Sequence, residues 1–161
     1  MRPDARFLRA RLSHCVALGF GSGLSPLAPG TVGTLWSWLA FVVAGLWLPP
    51  VYWAVLLPVA FLLGIWACGR TAQDLGVADH GAIVWDEIVA FWLVLLFAPP
   101  GWLSQFAAFA LFRFFDIVKP PPIRYYDRKL ENGFGVMFDD LLAALYTLFV
   151  LALFHPVAAP G

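Results

Sequence analysis

Five carboxylates stand where a strongly apolar chain should carry few charges. Asp86 and Glu87 are adjacent in Ile83-Val84-Trp85-Asp86-Glu87-Ile88-Val89. Asp116 closes Phe112-Arg113-Phe114-Phe115-Asp116, and Asp139 and Asp140 open a further apolar run. Acids gathered at one depth repel one another, and a charge at mid-bilayer costs about 2.5–3.5 kcal/mol on insertion scales. A hard divalent cation relieves both penalties, and oxygen ligands suit Mg²⁺. Adjacent residues on a helix point about 100° apart, so Asp86 and Glu87 are not expected to ligate one ion equally. One can bind metal while the other orients a water or a ligand. Simpler roles are open to each acid alone: Asp139 or Asp140 could cap a helix, and Asp116 could pair with Arg113. Those roles do not explain why three separate segments bring acids to one level.

Two more stretches carry chemistry. Gly19-Phe20-Gly21-Ser22-Gly23-Leu24-Ser25-Pro26-Leu27-Ala28-Pro29-Gly30-Thr31 has the composition of a loop running into a helix. Its Gly21 and Gly23 can turn backbone N–H groups toward an anion, the helix start adds a favourable dipole, and Ser22, Ser25 and Thr31 add hydroxyl donors. The structural alternative is a turn that needs glycine for its backbone angles alone. No βαβ unit surrounds the loop, which excludes a dinucleotide fold. In the second stretch, Arg113 and Lys119 interrupt or end an apolar segment, and Arg124 follows Pro120-Pro121-Pro122. An arginine fork and a lysine point charge suit phosphate. Positive-inside anchoring accounts equally for Arg124, Arg128 and Lys129, but poorly for the deeper Arg113. His80, just before the acidic pair, could shuttle a proton. His14 and His155 offer no constellation. Neither Cys15 nor Cys68 heads a Cys-x₅-Arg phosphatase loop, because Gly21 and Asp74 occupy the required positions.

The elements that must position these groups follow from composition. The 161 residues are 61% hydrophobic and 12% charged, with no net charge and a mean hydropathy of +0.81. A chain this small buries only about 60–70% of its surface, so so apolar a sequence is not that of an ordinary soluble domain. Disorder and nucleic-acid binding by net positive charge are excluded as well. Five apolar segments, about 31–48, 51–68, 82–98, 102–118 and 138–154, read as an all-α membrane bundle, or four spans if one is re-entrant. The turns at 49–50 and 99–101 are uncharged, whereas 69–81 and 119–137 are long and polar. Every Lys and Arg then falls on or beside one side, which the positive-inside rule makes cytoplasmic. Residues 1–15 form a basic arm, an amphipathic element suited to anionic lipid.

Taken together, these stretches resemble the phosphatidylglycerophosphatase A family of bacterial inner-membrane lipid phosphatases. The resemblance is carried by Gly19 to Ser25-Pro26, Pro29-Gly30-Thr31, Thr71-Ala72-Gln73-Asp74 and Asp79-His80-Gly81 through Trp85-Asp86-Glu87. It continues through Phe112-Arg113 to Asp116, Lys119-Pro120 to Ile123-Arg124, Asp127-Arg128, and Gly133-x-Gly135 to Asp139-Asp140. It covers about residues 16–142, within a single integral domain 1–161 whose last part, 143–161, ends the final helix. It implies a Mg²⁺-dependent phosphomonoesterase that converts phosphatidylglycerophosphate to phosphatidylglycerol and inorganic phosphate at the cytoplasmic face of the inner membrane. On that reading Asp86, Glu87, Asp116, Asp139 and Asp140 supply metal and catalytic groups. Arg113, Lys119, Ser22, Ser25 and the glycine-loop amides hold phosphate. A lipid headgroup transferase is the main rival, but the spaced Asp-Gly-x₂-Ala-Arg pattern of the CDP-alcohol transferases is missing. A carboxylate-lined cation transporter is the other, and acids clustered at one interface argue against a transmembrane path.

Overall fold

A computed structural model describes residues 2–154; His155 and the tail after it lie outside the described residues. Among the described residues the chain is all-helical. The arm folds as α1 (Ala5–Ala10) and α2 (Leu12–Ala17), followed by a 3₁₀ stretch, Gly19–Leu24. The larger helices are α3 (Pro29–Ala44), α4 (Trp53–Leu75), α5 (Trp85–Phe97), α6 (Trp102–Val118) and α8 (Gly133–Phe154), with the short α7 (Ile123–Lys129) before the last. Two helical stretches, Pro50–Leu75 and Gly133–Phe154, are long and apolar enough to cross a bilayer.

Each of the five apolar segments is a helix, but two boundaries move. The stretch after Cys68, expected as polar loop, continues α4 by two turns. Thr71, Ala72 and Leu75 bury one face there, and Arg70 pairs with Asp74 at i,i+4 (3.4 Å) on the other. Gly76 ends the helix in the left-handed region at φ 74°. The last helix starts at Gly133, where the Asn132 side chain accepts from the Gly135 N–H at 2.9 Å. Asp139 and Asp140 therefore lie inside α8, more than a turn past its start, and do not cap it.

Helix α5 is the axis of the bundle. It packs against α3, α4, α6 and α8, and Phe97 is its only exposed large hydrophobic residue. The surrounding helices expose apolar side chains outward: Leu39 and Val43 on α3, Val55, Val59 and Leu62 on α4, Leu103 and Phe106 on α6, and Phe149 and Leu153 on α8. An apolar surface this extensive is unstable in water, and the two spanning-length helices lie within it. Inside, Trp85 Nε1 donates to the Ala60 carbonyl, Trp92 Nε1 to the Ser37 carbonyl and Ser37 Oγ to the Ile88 carbonyl. Such bonds tie α5 to its neighbours where no water competes.

The arm is docked rather than free. His14, expected to stand alone, stacks on Phe7 at 3.9 Å. Its Nε2 lies 2.9 Å from Asp74 Oδ2 and its Nδ1 2.8 Å from the Phe7 carbonyl. Both ring nitrogens thus face acceptors, and Arg11 joins Asp74 at 3.6 Å.

The α4–α8 crossing depends on backbone contact at Gly133. A side chain there would strike the Ile65 carbonyl and the Gly69 backbone, which cannot yield. Gly133→Val should therefore cost about 1–3 kcal/mol by overpacking, read as a lowered melting temperature in detergent; an unchanged melting temperature would show that the crossing tolerates separation.

Candidate active site

Three helices deliver carboxylates to one point. Glu87 begins α5, Asp116 lies in the last turn of α6, and Asp140 lies in α8. One carboxylate oxygen from each lies within 4.8 Å of the others. The site is walled off by the start of α3: Gly30 approaches so closely that any side chain would collide with the Glu87 carboxylate. A side chain there would displace the Glu87 carboxylate from this position, and the positive end of α3 faces an acid.

Two cations and two further acids complete the cluster. Arg113 Nη1 donates to Asp116 Oδ2 at 2.6 Å and lies 3.2 Å from Glu87 Oε2. Lys119 Nζ donates to Asp139 Oδ2 at 2.5 Å and to Asp127 Oδ1 at 2.6 Å. Burial works against the Lys119 charge, but Asp139 and Asp127 outweigh it and raise its pKa above the ordinary lysine value. Lys119 reaches both acids because the chain reverses at its own residue, at φ 47°, before the proline run. Asp139 Oδ1 also accepts the Asp140 N–H at 3.0 Å.

Asp86 is buried at the start of α5. Among the charges around it, Glu87, Asp79 and Asp139 act most strongly. Asp140 is repelled chiefly by Asp116, then by Asp86, Asp139 and Glu87. All five sequence-nominated acids thus belong to one electrostatic neighbourhood. The simpler reading of Asp116, a partner for Arg113, is true as geometry, and the same arginine also reaches Glu87.

The donor set fits a hard divalent cation. Asp86 Oδ1 and Asp140 Oδ2 are buried and accept no hydrogen bond, and Glu87 Oε2 has only the Arg113 ion pair at 3.2 Å. Orphaned anionic oxygens are costly in a protein interior. Glu87 and Asp140 also converge with Asp116 from three different helices, an arrangement that an oxygen-coordinated ion would satisfy.

The other nominated residues lie around this cluster. Ser22 Oγ donates to the Gly19 carbonyl at 2.9 Å and Ser25 Oγ to the Leu27 carbonyl at 2.8 Å, so both hydroxyl protons are used within the loop. Gly21 has φ 110° and serves the turn; Gly23 packs on the Ala82 carbonyl. Thr31 is half-buried in the first turn of α3. His80 accepts the Ala82 N–H on Nδ1 at 3.1 Å, which leaves Nε2 to carry the proton. It lines a cleft of about 210 Å³ with Arg2, Ser25 and Pro29. Arg124 is exposed and donates to the Val118 carbonyl at 3.2 Å, closing the end of α6 outside the acid cluster.

Two acids received no role from sequence. Asp127 shares Lys119 with Asp139, and Asp79 lies within the field of Lys119, Asp127 and Asp116. Their only signal was membership of the motifs that carry the family resemblance. The contact itself depends on the chain reversing between α6 and α7.

Acids and cations are thus brought together among apolar helices. Residues 15–155 match the family Phosphatidylglycerophosphatase A, and the chain belongs to that family. It is 51% identical over 139 residues to phosphatidylglycerophosphatase A of Haemophilus influenzae, covering 86% of this chain and 85% of that protein. Identity to phosphatidylglycerophosphatase A of Escherichia coli is 40% over 139 residues, or 86% of this chain and 80% of that protein. A Bacteroides thetaiotaomicron protein named "Putative phosphatidylinositol-3-phosphatase" is 40% identical over 147 residues, 85% of this chain and 89% of its own length. No solved structure gives a significant match.

If the orphaned oxygens bind an ion, Mg²⁺ at about 100 times its Kd should stabilise the folded chain by about 2.7 kcal/mol. That gain should vanish in Asp140→Asn, whose melting temperature in EDTA should equal or exceed that of the parent because one repulsive charge is gone. Equal Mg²⁺ stabilisation of both proteins would remove Asp140 from the ion site.

Proposed function

We propose that this chain hydrolyses the terminal phosphomonoester of phosphatidylglycerophosphate to phosphatidylglycerol and inorganic phosphate, assisted by Mg²⁺, at the cytoplasmic face of a bacterial inner membrane. The observation that carries the reading is the convergence of Glu87, Asp116 and Asp140 within 4.8 Å, beside Arg113 and Lys119, in a chain of this family. The whole chain serves as one integral domain. Five helices span, with α5 enclosed by the others and the acid cluster at the cytoplasmic end. The basic arm and both charged connections share that side, as the positive-inside rule requires.

Glu87, Asp116 and Asp140 would hold the ion, which when bound neutralises phosphoryl charge. Arg113 presents a guanidinium fork at the same point, and Lys119 a second cation. Either can turn from its carboxylate to a phosphoryl oxygen, and a charge-assisted bond to phosphate replaces the one given up. Asp139 and Asp127 keep Lys119 protonated and in place. Asp86, outside the three-acid cluster and with a free oxygen, is suited to orient the attacking water and take its proton. The water oxygen bonds to phosphorus, the bond from phosphorus to the glycerol oxygen breaks, and that oxygen leaves as the phosphatidylglycerol hydroxyl with the proton that Asp86 took from the water. His80, with its proton on Nε2, can exchange protons with solvent in the cleft it lines with Arg2, Ser25 and Pro29. Ser22, Ser25, Thr31, Gly21 and Gly23 shape the loop that walls the site, and Arg124 anchors the cytoplasmic end of α6. A headgroup transferase would require a second alcohol, whereas water suffices here.

The test is phosphate release from phosphatidylglycerophosphate by the purified protein in detergent, with Mg²⁺ and with EDTA. Release is expected with Mg²⁺ alone. Asp86→Asn should fold normally and lose on the order of 10²–10⁴ in turnover, the usual contribution of a positioned acid or base. Wild-type turnover in Asp86→Asn would withdraw its role, and release that is indifferent to EDTA would remove the metal.

A further inference from the structure

One cleft beside the acid cluster is lined by cation and donor groups and by no acid. It is the cleft of about 210 Å³ that Arg2, Ser25, Pro29 and His80 share. Three segments build it: the arm, the glycine loop with the start of α3, and the connection from α4 to α5. Gly23 and Ala82, whose close backbone contact admits no side chain, join the last two. Two covalent links keep the cleft next to the acids. Pro29 precedes Gly30, which lies against the Glu87 carboxylate, and consecutive Cα atoms are only about 3.8 Å apart. His80 follows Asp79, whose charge acts on both Asp86 and Glu87.

Arg2 differs from the cations inside the cluster. Arg113 and Lys119 each bridge two carboxylates. Arg2 donates from Nη2 to the Pro26 carbonyl at 2.7 Å, and among the described residues it pairs with no carboxylate. The acid nearest to it in sequence, Asp4, is turned to cap α1, accepting the Arg6 and Phe7 N–H groups at 3.0 and 2.8 Å. The rest of the guanidinium fork is left to donate to a ligand, as is His80 Nε2–H once Nδ1 has accepted from Ala82. Ser25 Oγ already donates to the Leu27 carbonyl and so offers lone pairs, which suit a hydroxyl.

Resting on the function proposed above, we infer that this cleft is the subsite for the bridging phosphodiester of the substrate, with Arg2 and His80 donating to its anionic oxygens while the terminal phosphate lies at the acid cluster. Phosphatidylglycerophosphate carries two phosphates, joined through a glycerol that keeps one free hydroxyl. The acids repel the second phosphate as they do the first, and the cleft is where that charge meets donors instead. Its 210 Å³ equals the share of about seven waters at about 30 Å³ each, room for the diester and part of the glycerol, whose hydroxyl can donate to Ser25. The subsite selects a phospholipid with a diester behind its terminal phosphate over one, such as phosphatidic acid, with a single phosphate.

The experiment gives the full-length protein, in detergent with Mg²⁺, two short-chain substrates: phosphatidylglycerophosphate, and an analogue whose bridging diester is a neutral methylphosphonate. The parent should favour the charged substrate in kcat/KM. Arg2→Gln should lower that preference about tenfold, the loss of one hydrogen bond to a charged group. Arg9→Gln, at an exposed position of α1 outside the cleft, removes the same charge and should keep the preference. Equal losses on both substrates in Arg2→Gln would mean that Arg2 only fastens the arm to Pro26, and would overturn the subsite. An equal fall in Arg9→Gln would overturn it too, by showing attraction to the arm as a whole. A binding measurement in EDTA is independent of turnover. Short-chain phosphatidylglycerol, which has the diester and no terminal phosphate, should bind the parent about tenfold more tightly than Arg2→Gln, and inorganic phosphate should not displace it. Displacement would assign the cleft to free phosphate and overturn the proposal. A parent that releases no phosphate yet shows this binding difference would lose the phosphatase reading and keep the diester site.

Discussion

Like charges held together in a low-dielectric interior are the constraint on which the rest of this structure depends. Burying one carboxylate without partners is costly, and burying several at one level compounds the cost. Three helices nevertheless converge so that Glu87, Asp116 and Asp140 meet. Arg113 and Lys119 offset part of the repulsion, each bridging two acids from different elements. The bridges also act as geometry. Arg113 ties α6 to α5, and Lys119 ties the end of α6 to α7 and α8, so the elements carrying the site are locked by the charges the site must contain. Buried ion pairs are weak evidence for stability. Here they specify which helix ends meet.

That arrangement dictates the character of α5. A helix that begins with Asp86 and Glu87 can remain in an apolar bundle only if other helices screen those acids from hydrocarbon. Enclosure on all sides follows, and with it small residues at the contacts: Gly33 of α3 lies against Val84, and Gly64 of α4 against Met137 and Trp85. The exposed apolar side chains fall instead on the outer helices, at Leu39, Val59, Phe106 and Phe149, while α5 shows only Phe97. The glycine loop belongs to the same logic. Its serines bond within the loop and its glycines pack on Ala82, Val84 and Glu87, so its evident task is to bring the start of α3 against the acids.

Much of this was legible in the chain because apolar runs and isolated charges are strong signals in a membrane protein. The five segments are helices, and the three acidic positions do converge. The errors arose where a local signal competed with tertiary packing. Arg70, Gln73 and Asp74 read as loop, yet they sit on the outer face of a helix whose inner face is Thr71, Ala72 and Leu75. Asp139 and Asp140 read as the start of a helix because hydropathy rises at Phe138. The helix begins earlier, at Gly133, whose value is close approach to α4, which hydropathy does not record. His14 was illegible for another reason: its partner, Asp74, lies sixty positions away. Asp127 was hidden likewise, since a proline run and a left-handed lysine bring it back to the site.

The charge count bears on the chemistry directly. Asp86, Glu87, Asp116, Asp139 and Asp140 outnumber Arg113 and Lys119, and Asp127 already shares the lysine. A phosphomonoester dianion approaching such a site meets net repulsion, and the cations it would need are engaged with carboxylates. Protonating the acids would quiet the repulsion without supplying positive charge. A divalent cation does both, and its binding would loosen the carboxylates' hold on Arg113 and Lys119 and free them for phosphate. On the function proposed above, the acids that oppose substrate binding would make it conditional on the ion. Such conditionality suits a site at a membrane surface, where anionic headgroups are always at hand and only a terminal phosphate should be drawn in.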